Sequence, residues 1–586
     1  MPSPSVVYLA LGARRMQAAA RLTARAAATG ADVLLVVPDS AAWQGLDPAP
    51  GVTLRRLPVS DPQRAARAAR RLLIDAVAGS VLVAGDAPAL PVAEAVGRRR
   101  PDLTVVVEPD ATSGRRPAAA DLAVLTPWYP SPNDDFAGAF VRATTDTVRD
   151  QFPRVSVLHT EGWFYPASEA ARSKVDAAAH RISAVTVVDT EHGELARIAV
   201  PSATSAGYPA WMDDHVRALR AALPTGRIEA PVVHAHTGMY GGVAAAALAR
   251  PDARVVLIEH ATFLPRVFRR PGARRRYATA LHRADAVLCV GPGLRDYLAA
   301  EFPRYAGKLH VVPNPIDFDA FAVRDRPPAD LRRWLYVGRL VEQKGVRLLL
   351  EAFGVVAADD PALTLTLVGS GALAAELGER AAALGVGDRV RLQEPVPPDQ
   401  VPALLAEHDL LVHLSSVETF GLTVVEAIAT GTPVLAARND GTQQTMAGLD
   451  GVAGLLIDPG ADPSAVAHAY RDLRRRLPDL DLRRARDELL ARYGREAVAA
   501  RLRHFYTGTL ERPEPASDHA VVPRPRAEAA ARPALRRVPD RVLDRLLATA
   551  RQRPGPGLEI AVRRVQRTHQ AVLRRWSAAS AQLPRR

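Results

Sequence analysis

The feature that most constrains this chain is an alternation of short apolar runs with Ala- and Leu-rich helical stretches, which stops and restarts twice. Runs such as 6–11, 33–37 and 410–416 are apolar at nearly every position, the pattern of strands buried on both faces of a parallel sheet. Helical periodicity over 16–29 and 65–77 supplies the crossovers, so the class is α/β, built from doubly wound units. The first unit spans 1–112, with further strands at 52–57, 80–84 and 103–107. It has no Gly-rich phosphate loop and reads as structural or partner-binding. Residues 111–120 read as a linker, after which a second unit (121–325) and a third (326–492) follow. A closing amphipathic helix is expected over 493–505 within 493–510, a Pro-rich flexible linker over 511–533, and a helical basic tail over 534–586.

Within the third unit, one stretch carries chemistry. The apolar strand 410–416 runs into Glu418, a turn at Gly421, a helix from Leu422 to about Thr430 and a closing Gly431. Such a unit leaves the N–H groups of about Phe420 to Thr423 unpaired at a positive helix end, a seat for phosphate. Glu418 on the loop and Glu426 one turn into the helix flank it. Carboxylates repel phosphate but suit neutral sugar hydroxyls gripped in pairs. A diphosphate with a sugar at either end is a nucleotide sugar.

Charge and cysteine usage narrow the rest. The net charge of +13 is concentrated at the C-terminus, where residues 532–586 hold fourteen arginines against Asp540, Asp544 and Glu559, a balance of +11. The body is near neutral, so a nucleic-acid partner is not indicated. In the tail, Leu558, Val562, Val565, His569, Val572 and Trp576 form one helical stripe among arginines. That stripe suits an anionic membrane surface, docking on the protein's own body, or self-association. The lone Cys289 and the lack of a signal or ~20-residue apolar run lead to an expected cytoplasmic location, with peripheral attachment to the inner membrane face through the tail. Lysine occurs only at 174, 308 and 344. In so Arg-rich a chain, Lys344 suggests a site that wants a compact point charge.

Lys344 belongs to Gly338-Arg339…Lys344-Gly345, between a strand from Arg333 and a helix over 346–356. Two cations there would reach a diphosphate from a second direction. At ~4 Å and an effective dielectric near 20, each contact is worth about 4 kcal/mol before desolvation. Upstream, the strand at 121–130 leads into a loop with Gly138, which reads either as an anion-facing turn or as a Pro-rich surface loop. His234 and His236 end one strand and His260 another, facing the crevice where parallel sheets bind ligands; the HxH spacing also admits a zinc site.

Taken together, these pieces resemble the retaining family-4 (group 1) GT-B glycosyltransferases over about 121–507. They occur in the family's order: Thr126-Pro-Trp-Tyr-Pro with Gly138, the His234/His236 strand, Asn314-Pro-Ile-Asp317, Gly338-Arg339 through Lys344-Gly345, and the E-x7-E pair Glu418 and Glu426. The resemblance implies two Rossmann-like domains facing across a cleft, plus the extra N-terminal α/β domain and the tail. It implies that Arg339 and Lys344 neutralise the leaving diphosphate and that Gly338 and Gly138 let backbone approach it. Glu418 with Phe420, Gly421 and Leu422 would meet the donor sugar, Glu426 the ribose, and His236 the reacting sugar. Implied substrates are a UDP- or GDP-linked sugar and a glycan or lipid-linked envelope acceptor, with no cofactor and no obligatory metal. Ala139, Pro315 and Glu394 depart from the family pattern. A non-catalytic GT-B scaffold and a GT-B-fold sugar-nucleotide epimerase or phosphorylase are the alternatives.

Overall fold

A computed structural model describes residues 5–508 except 77–80, 109–114, 167–168, 183, 192 and 325. The linker and basic tail expected over 511–586 lie outside the described residues, as does the first part of the 111–120 linker. The described residues form one compact unit.

Three sheets carry that unit. The first holds β1 (Val6–Leu9), β2 (Val33–Pro38), β3 (Val52–Leu57), β4 (Val81–Ala84) and β5 (Thr104–Val106), all parallel, in the order β3-β2-β1-β4-β5. The second has eight strands: β6 (Leu122–Thr126), β7 (Val155–Tyr165), β8 (Val185–Thr190), β9 (Gly193–Ala203), β10 (Val232–His236), β11 (Arg254–Glu259), β12 (Ala286–Cys289) and β13 (Leu309–Val311). Their order is β13-β12-β11-β10-β6-β7-β9-β8, with β8 alone antiparallel. The third holds β14 (Arg333–Val337), β15 (Thr364–Val368), β16 (Val390–Gln393), β17 (Leu410–His413), β18 (Val434–Ala437) and β19 (Gly454–Ile457), all parallel, in the order β16-β15-β14-β17-β18-β19. The strands read from apolar runs are there; the central ones are buried on both faces, the edge strands β3, β5 and β16 are partly exposed, and the run at 410–416 yields strand only to His413.

Three features depart from the sequence reading. First, β7, β8 and β9 were not anticipated; β7 and β9 pair over eleven residues and reach beyond the sheet into the first domain. Trp163 and Tyr165 of β7 join a core with Val7, Leu82 and Leu90. Beside it, Arg15 pairs with Glu161 at 2.5 Å, its guanidinium lies 4.2 Å from the Trp163 ring, and Arg197 pairs with Glu108 at 3.0 Å. Second, the described part of the presumed linker is fixed: Arg116 donates to the Ala221 carbonyl at 2.6 Å, and Arg115 pairs with Asp189. Third, the closing helix begins at Arg495, because Gly494 ends the preceding helix Leu482–Tyr493 with extended backbone. Helix Arg495–Thr507 then crosses back to the second sheet, where Tyr506 Oη meets His234 Nδ1 at 2.8 Å and the Phe505 carbonyl accepts from Arg254. No helix among the described residues is long and apolar enough to cross a membrane.

The Arg15–Glu161 pair is the polar pin of the first domain, with side chains only 5% and 13% exposed. Removing one partner leaves a buried charge unpaired, a cost of about 3–5 kcal/mol. Arg15→Met should lower the urea midpoint accordingly, and Arg15→Met/Glu161→Gln should recover most of the loss. Equal destabilisation by the single and double variants would contradict this.

Candidate functional site

In the third sheet β14, the first strand, sits between β15 and β17, so the connections diverge at the β14/β17 junction. Ligands of open parallel sheets bind outside the strand ends at such a switch point. The loop after β14 carries Gly338, Arg339 and Lys344; the loop after β17 carries Glu418 to Gly421. These two loops are in backbone contact. Gly345 has φ +69°, and a Cβ there would lie 2.1 Å from the Leu414 carbonyl oxygen, so no other residue fits. Ser416 N–H donates to the Gln343 carbonyl at 3.0 Å, Asn439 Nδ2 to that of Ser415, and Gly441 N–H to that of Glu418. Phe420 is buried with its ring 5.0 Å from Tyr493, so it offers the site its backbone only.

Gly421, at φ +89°, caps the helix Leu422–Ala429. The first intrahelical bond runs from Val424 N–H to the Gly421 carbonyl, which leaves the Leu422 and Thr423 N–H groups facing outward. Leu422, Thr423 and Glu426 are the partly exposed positions of this helix and share one face; Val424, Val425 and residues 427–429 are buried.

The charges are arranged around that helix end. Lys344 Nζ lies 2.5 Å from Glu418 Oε1, and His413 Nε2 lies 3.0 Å from the same oxygen. Burial would raise the Glu418 carboxyl, but His413 and Lys344 together hold it down at about 2. The ammonium read as a free diphosphate cation is therefore already paired, and the carboxylate assigned separately to the sugar is its partner. Arg339 is exposed, with no carboxylate partner among the described residues; Tyr336 Oη fixes its carbonyl at 2.8 Å. Glu426 also lacks a partner there, and burial alone raises its carboxyl to about 7. Its part-exposure at the cleft means water softens that shift.

The second sheet has its own switch point, between β6 and β10. Gly138, at φ +67°, starts the helix Ala139–Val148, and a Cβ there would lie 2.1 Å from the Trp128 carbonyl oxygen. His236 ends β10, fully buried; its Nδ1 lies 3.1 Å from His260 Nε2, with the rings stacked 5.3 Å apart. Burial pushes both imidazoles down, His260 to about 3, so both are neutral at pH 7. Sequence reading missed the next residue, Thr237, which has φ +64° and a buried hydroxyl without a partner among the described residues. It opens the π-helical turn Thr237–Gly242, and such irregularities collect at functional sites. Glu259 braces this turn, accepting from Gly238 N–H at 2.9 Å and Tyr277 Oη at 2.7 Å.

Across the cleft, Thr419 Oγ1 donates to the His260 carbonyl at 3.1 Å. The missed Gly291-Pro292-Gly293 turn permits the contact. A Cβ on Gly291 would lie 2.5 Å from the Thr419 carbonyl oxygen, and one on Gly293 would lie 2.3 Å from Asp440 Oδ2. His234 and His236 do share a face, but their Nδ1 atoms are engaged by Tyr506 and His260. No group of three or more potential metal ligands occurs among the described residues.

Comparison with known proteins identifies the family. The model of the glycosyl transferases group 1 matches residues 319–480, and that of glycosyltransferase family 4 matches 177–320. A D-inositol 3-phosphate glycosyltransferase of Geodermatophilus obscurus is 33% identical over 326 residues, covering 48% of this chain and 70% of that one. One from Thermobispora bispora is 37% identical over 198 residues, 32% of this chain and 45% of that one; the matched stretch is about half of most such relatives. In fold, sucrose-phosphate synthase from Thermosynechococcus elongatus superposes with a TM-score of 0.51 at 20% identity, over 66% of this chain and 99% of that one. The chain belongs to the family-4, group 1 glycosyltransferases and has the GT-B fold, with an additional N-terminal α/β domain.

Glu426 gives the site a measurable signature. The folded protein holds a proton that an unfolded Glu, ordinarily near 4.5, releases below the folded value of about 7. Stability therefore falls as pH rises across that window. Glu426→Gln should raise Tm at about pH 8 and leave it nearly unchanged at about pH 5. An identical Tm at the higher pH would show that the carboxyl is not held protonated.

Proposed function

We propose that this protein is a retaining hexosyltransferase that moves a sugar from a UDP- or GDP-linked donor to a hydroxyl of a lipid-linked or cell-envelope glycan. The observation that carries this reading is the gathering of Arg339, Lys344, the free N–H groups of Leu422 and Thr423, and the carboxylates Glu418 and Glu426 at one switch point. The diphosphate binds between the two cations and the helix end. Glu426 accepts the ribose hydroxyls, and the Glu418 loop, with the Phe420, Gly421 and Leu422 backbone, meets the sugar. Gly338 and Gly138 keep side chains out of the diphosphate's path. His236, neutral, buried and bonded to His260, lies near the sugar within the opposite wall.

In the transfer the acceptor oxygen forms the new bond to the anomeric carbon as the bond to the diphosphate oxygen breaks. The acceptor's proton passes to that departing oxygen on the same face, which retains the configuration. No protein nucleophile is required; positioning and charge stabilisation supply the rate. Lys344 already bridges toward Glu418, so it can share its charge with the diphosphate without leaving the site. The relatives' names favour a second acceptor, a cyclic polyol phosphate such as D-inositol 3-phosphate. The expected cytoplasmic face and membrane attachment through 511–586 belong to the same proposal.

With a panel of UDP- and GDP-sugars and glycan, lipid and inositol-phosphate acceptors, Lys344→Ala and Arg339→Ala should each lower kcat by about 10²- to 10³-fold. Glu426→Ala should act mainly on donor KM. Proton NMR should show the product with the donor's anomeric configuration. An inverted product would overturn retention, and absence of transfer or donor binding across the panel would favour the scaffold. Truncation after residue 510 should abolish binding to phosphatidylglycerol vesicles; unchanged binding would remove the tail from this role.

A further inference from the structure

One stretch of the second domain is charged with a single sign. From His260 to Ala284 there is no acidic residue, against seven arginines (266, 269, 270, 274, 275, 276 and 283). The fold uses three of them. Arg274 pairs with Glu301 at 3.1 Å, Arg276 with Asp213 at 2.6 Å, and Arg283 donates to the Ala253 carbonyl at 2.7 Å. The other four, Arg266, Arg269, Arg270 and Arg275, are exposed, and their guanidinium groups have no carboxylate or hydrogen-bond partner among the described residues. A single arginine on a solvated face is ordinary. A run of them without a neutralising acid makes a local positive field.

Position gives the run its meaning. His260 stands at the cleft, with its carbonyl reached by Thr419 and its ring bonded to His236. Next to it is an aromatic rim: the Phe140 ring lies 4.5 Å from that of His260 and 6.4 Å from Trp128, and Trp128 lies 6.2 Å from Phe263. All three aromatic side chains are only half-buried, so ring surface remains open to a ligand. The short helix Leu264–Phe268 follows directly. It buries Leu264, Val267 and Phe268 and turns Arg266 outward, with Arg269 and Arg270 exposed at its end. Residues three apart are neighbours on one helix face, so these guanidinium groups form a row leading from the rim at steps of about 5 Å. Aromatic rings suit the C–H face of a sugar, and guanidinium groups suit carboxylate or phosphate oxygens. A row of separate cations fits anions repeated along a chain, whereas one compact phosphate is better held by donors converging on a point.

We infer that Phe263, Trp128 and the arginine row 266, 269 and 270 form an extended acceptor subsite for an acidic glycan, one with an anionic group on successive units. The inference deepens the proposed transfer and rests on it, since it takes the second sheet's wall as the acceptor side. The terminal ring lies on Phe263 and Trp128 with a hydroxyl toward the cleft, and the preceding units run out over Arg266, Arg269 and Arg270.

Hydrogen exchange on the full-length protein tests it, because exchange is read region by region and keeps binding by the basic tail apart. Tetragalacturonate or a glycerol-phosphate tetramer should slow exchange over 260–276, and neutral maltotetraose should not. Arg266→Ser/Arg269→Ser/Arg270→Ser should raise the ligand concentration needed at least about tenfold. Arg67→Ser/Arg70→Ser/Arg71→Ser, which removes the same charge from exposed positions on the helix Pro62–Ala76, should leave it unchanged. Phe263→Ala should weaken binding with no change in charge. UDP or GDP should separately slow exchange over 338–345 and 418–426, so a failed donor site and a failed acceptor subsite give different maps. No protection by either acidic probe, equal protection by maltotetraose, equal loss in the two triple variants, or protection of 260–276 by phosphatidylglycerol vesicles alone would each overturn the assignment.

Discussion

The site depends on a backbone contact that only glycine permits. Because Gly345 lets the loop after β14 press against the Leu414 carbonyl, Lys344 is delivered to Glu418, 74 residues further along the chain. His413, at the last position of β17, reaches the same oxygen and fixes the carboxylate's orientation. The pair is assembled before any ligand arrives, and side-chain entropy that a free lysine would lose on binding has been lost in folding. The pairing also lowers the local charge, so in the proposed function attraction for a diphosphate would rest more on Arg339 and the helix end than on two free cations. That arrangement spares the protein two like charges at ligand-free equilibrium.

The same logic recurs in all three sheets. Each sheet has one place where its parallel connections diverge, and each such place carries unusual chemistry. In the third it is the Lys344–Glu418–His413 cluster with Glu426; in the second, the neutral His236–His260 pair with the strained Thr237; in the first, Asp86 seated on its own turn. Strand ends supply fixed backbone, and loops supply side chains, so a site can be varied without rebuilding the sheet. The second and third sheets are tied by Thr419 to His260 and by the returning helix Arg495–Thr507. The first domain is tied on by the long β7 and β9 strands and the buried Arg15–Glu161 pair.

Much of this was legible in the chain. Apolar runs located nearly every strand of the first and third sheets, because parallel strands buried on two faces leave little choice of residue. Gly421 announced its turn, and the spacing of Glu418 and Glu426 placed both carboxylates at one helix end. What could not be read was pairing at a distance. Nothing local in Lys344 names Glu418 as its partner, and nothing in Thr419 names the His260 carbonyl. The β7–β9 extension went unseen although residues 155–165 are rich in β-formers, because its pairing is set across an intervening helix. Lysine scarcity was informative, but for more than one reason. Lys308 donates to the carbonyls of Leu281, His282 and Ala284 and caps a helix C-terminus, a structural use of the same compact charge.

The central claim is that one diphosphate fits between the Arg339 guanidinium, the Lys344 ammonium and the first turn of the helix Leu422–Ala429. A crystal structure of the full-length protein soaked with UDP or GDP tests it most directly. The account predicts diphosphate oxygens within hydrogen-bond reach of both cations and the Leu422 or Thr423 N–H, with the ribose on Glu426. A nucleotide bound elsewhere, or with its diphosphate away from that helix end, would contradict it.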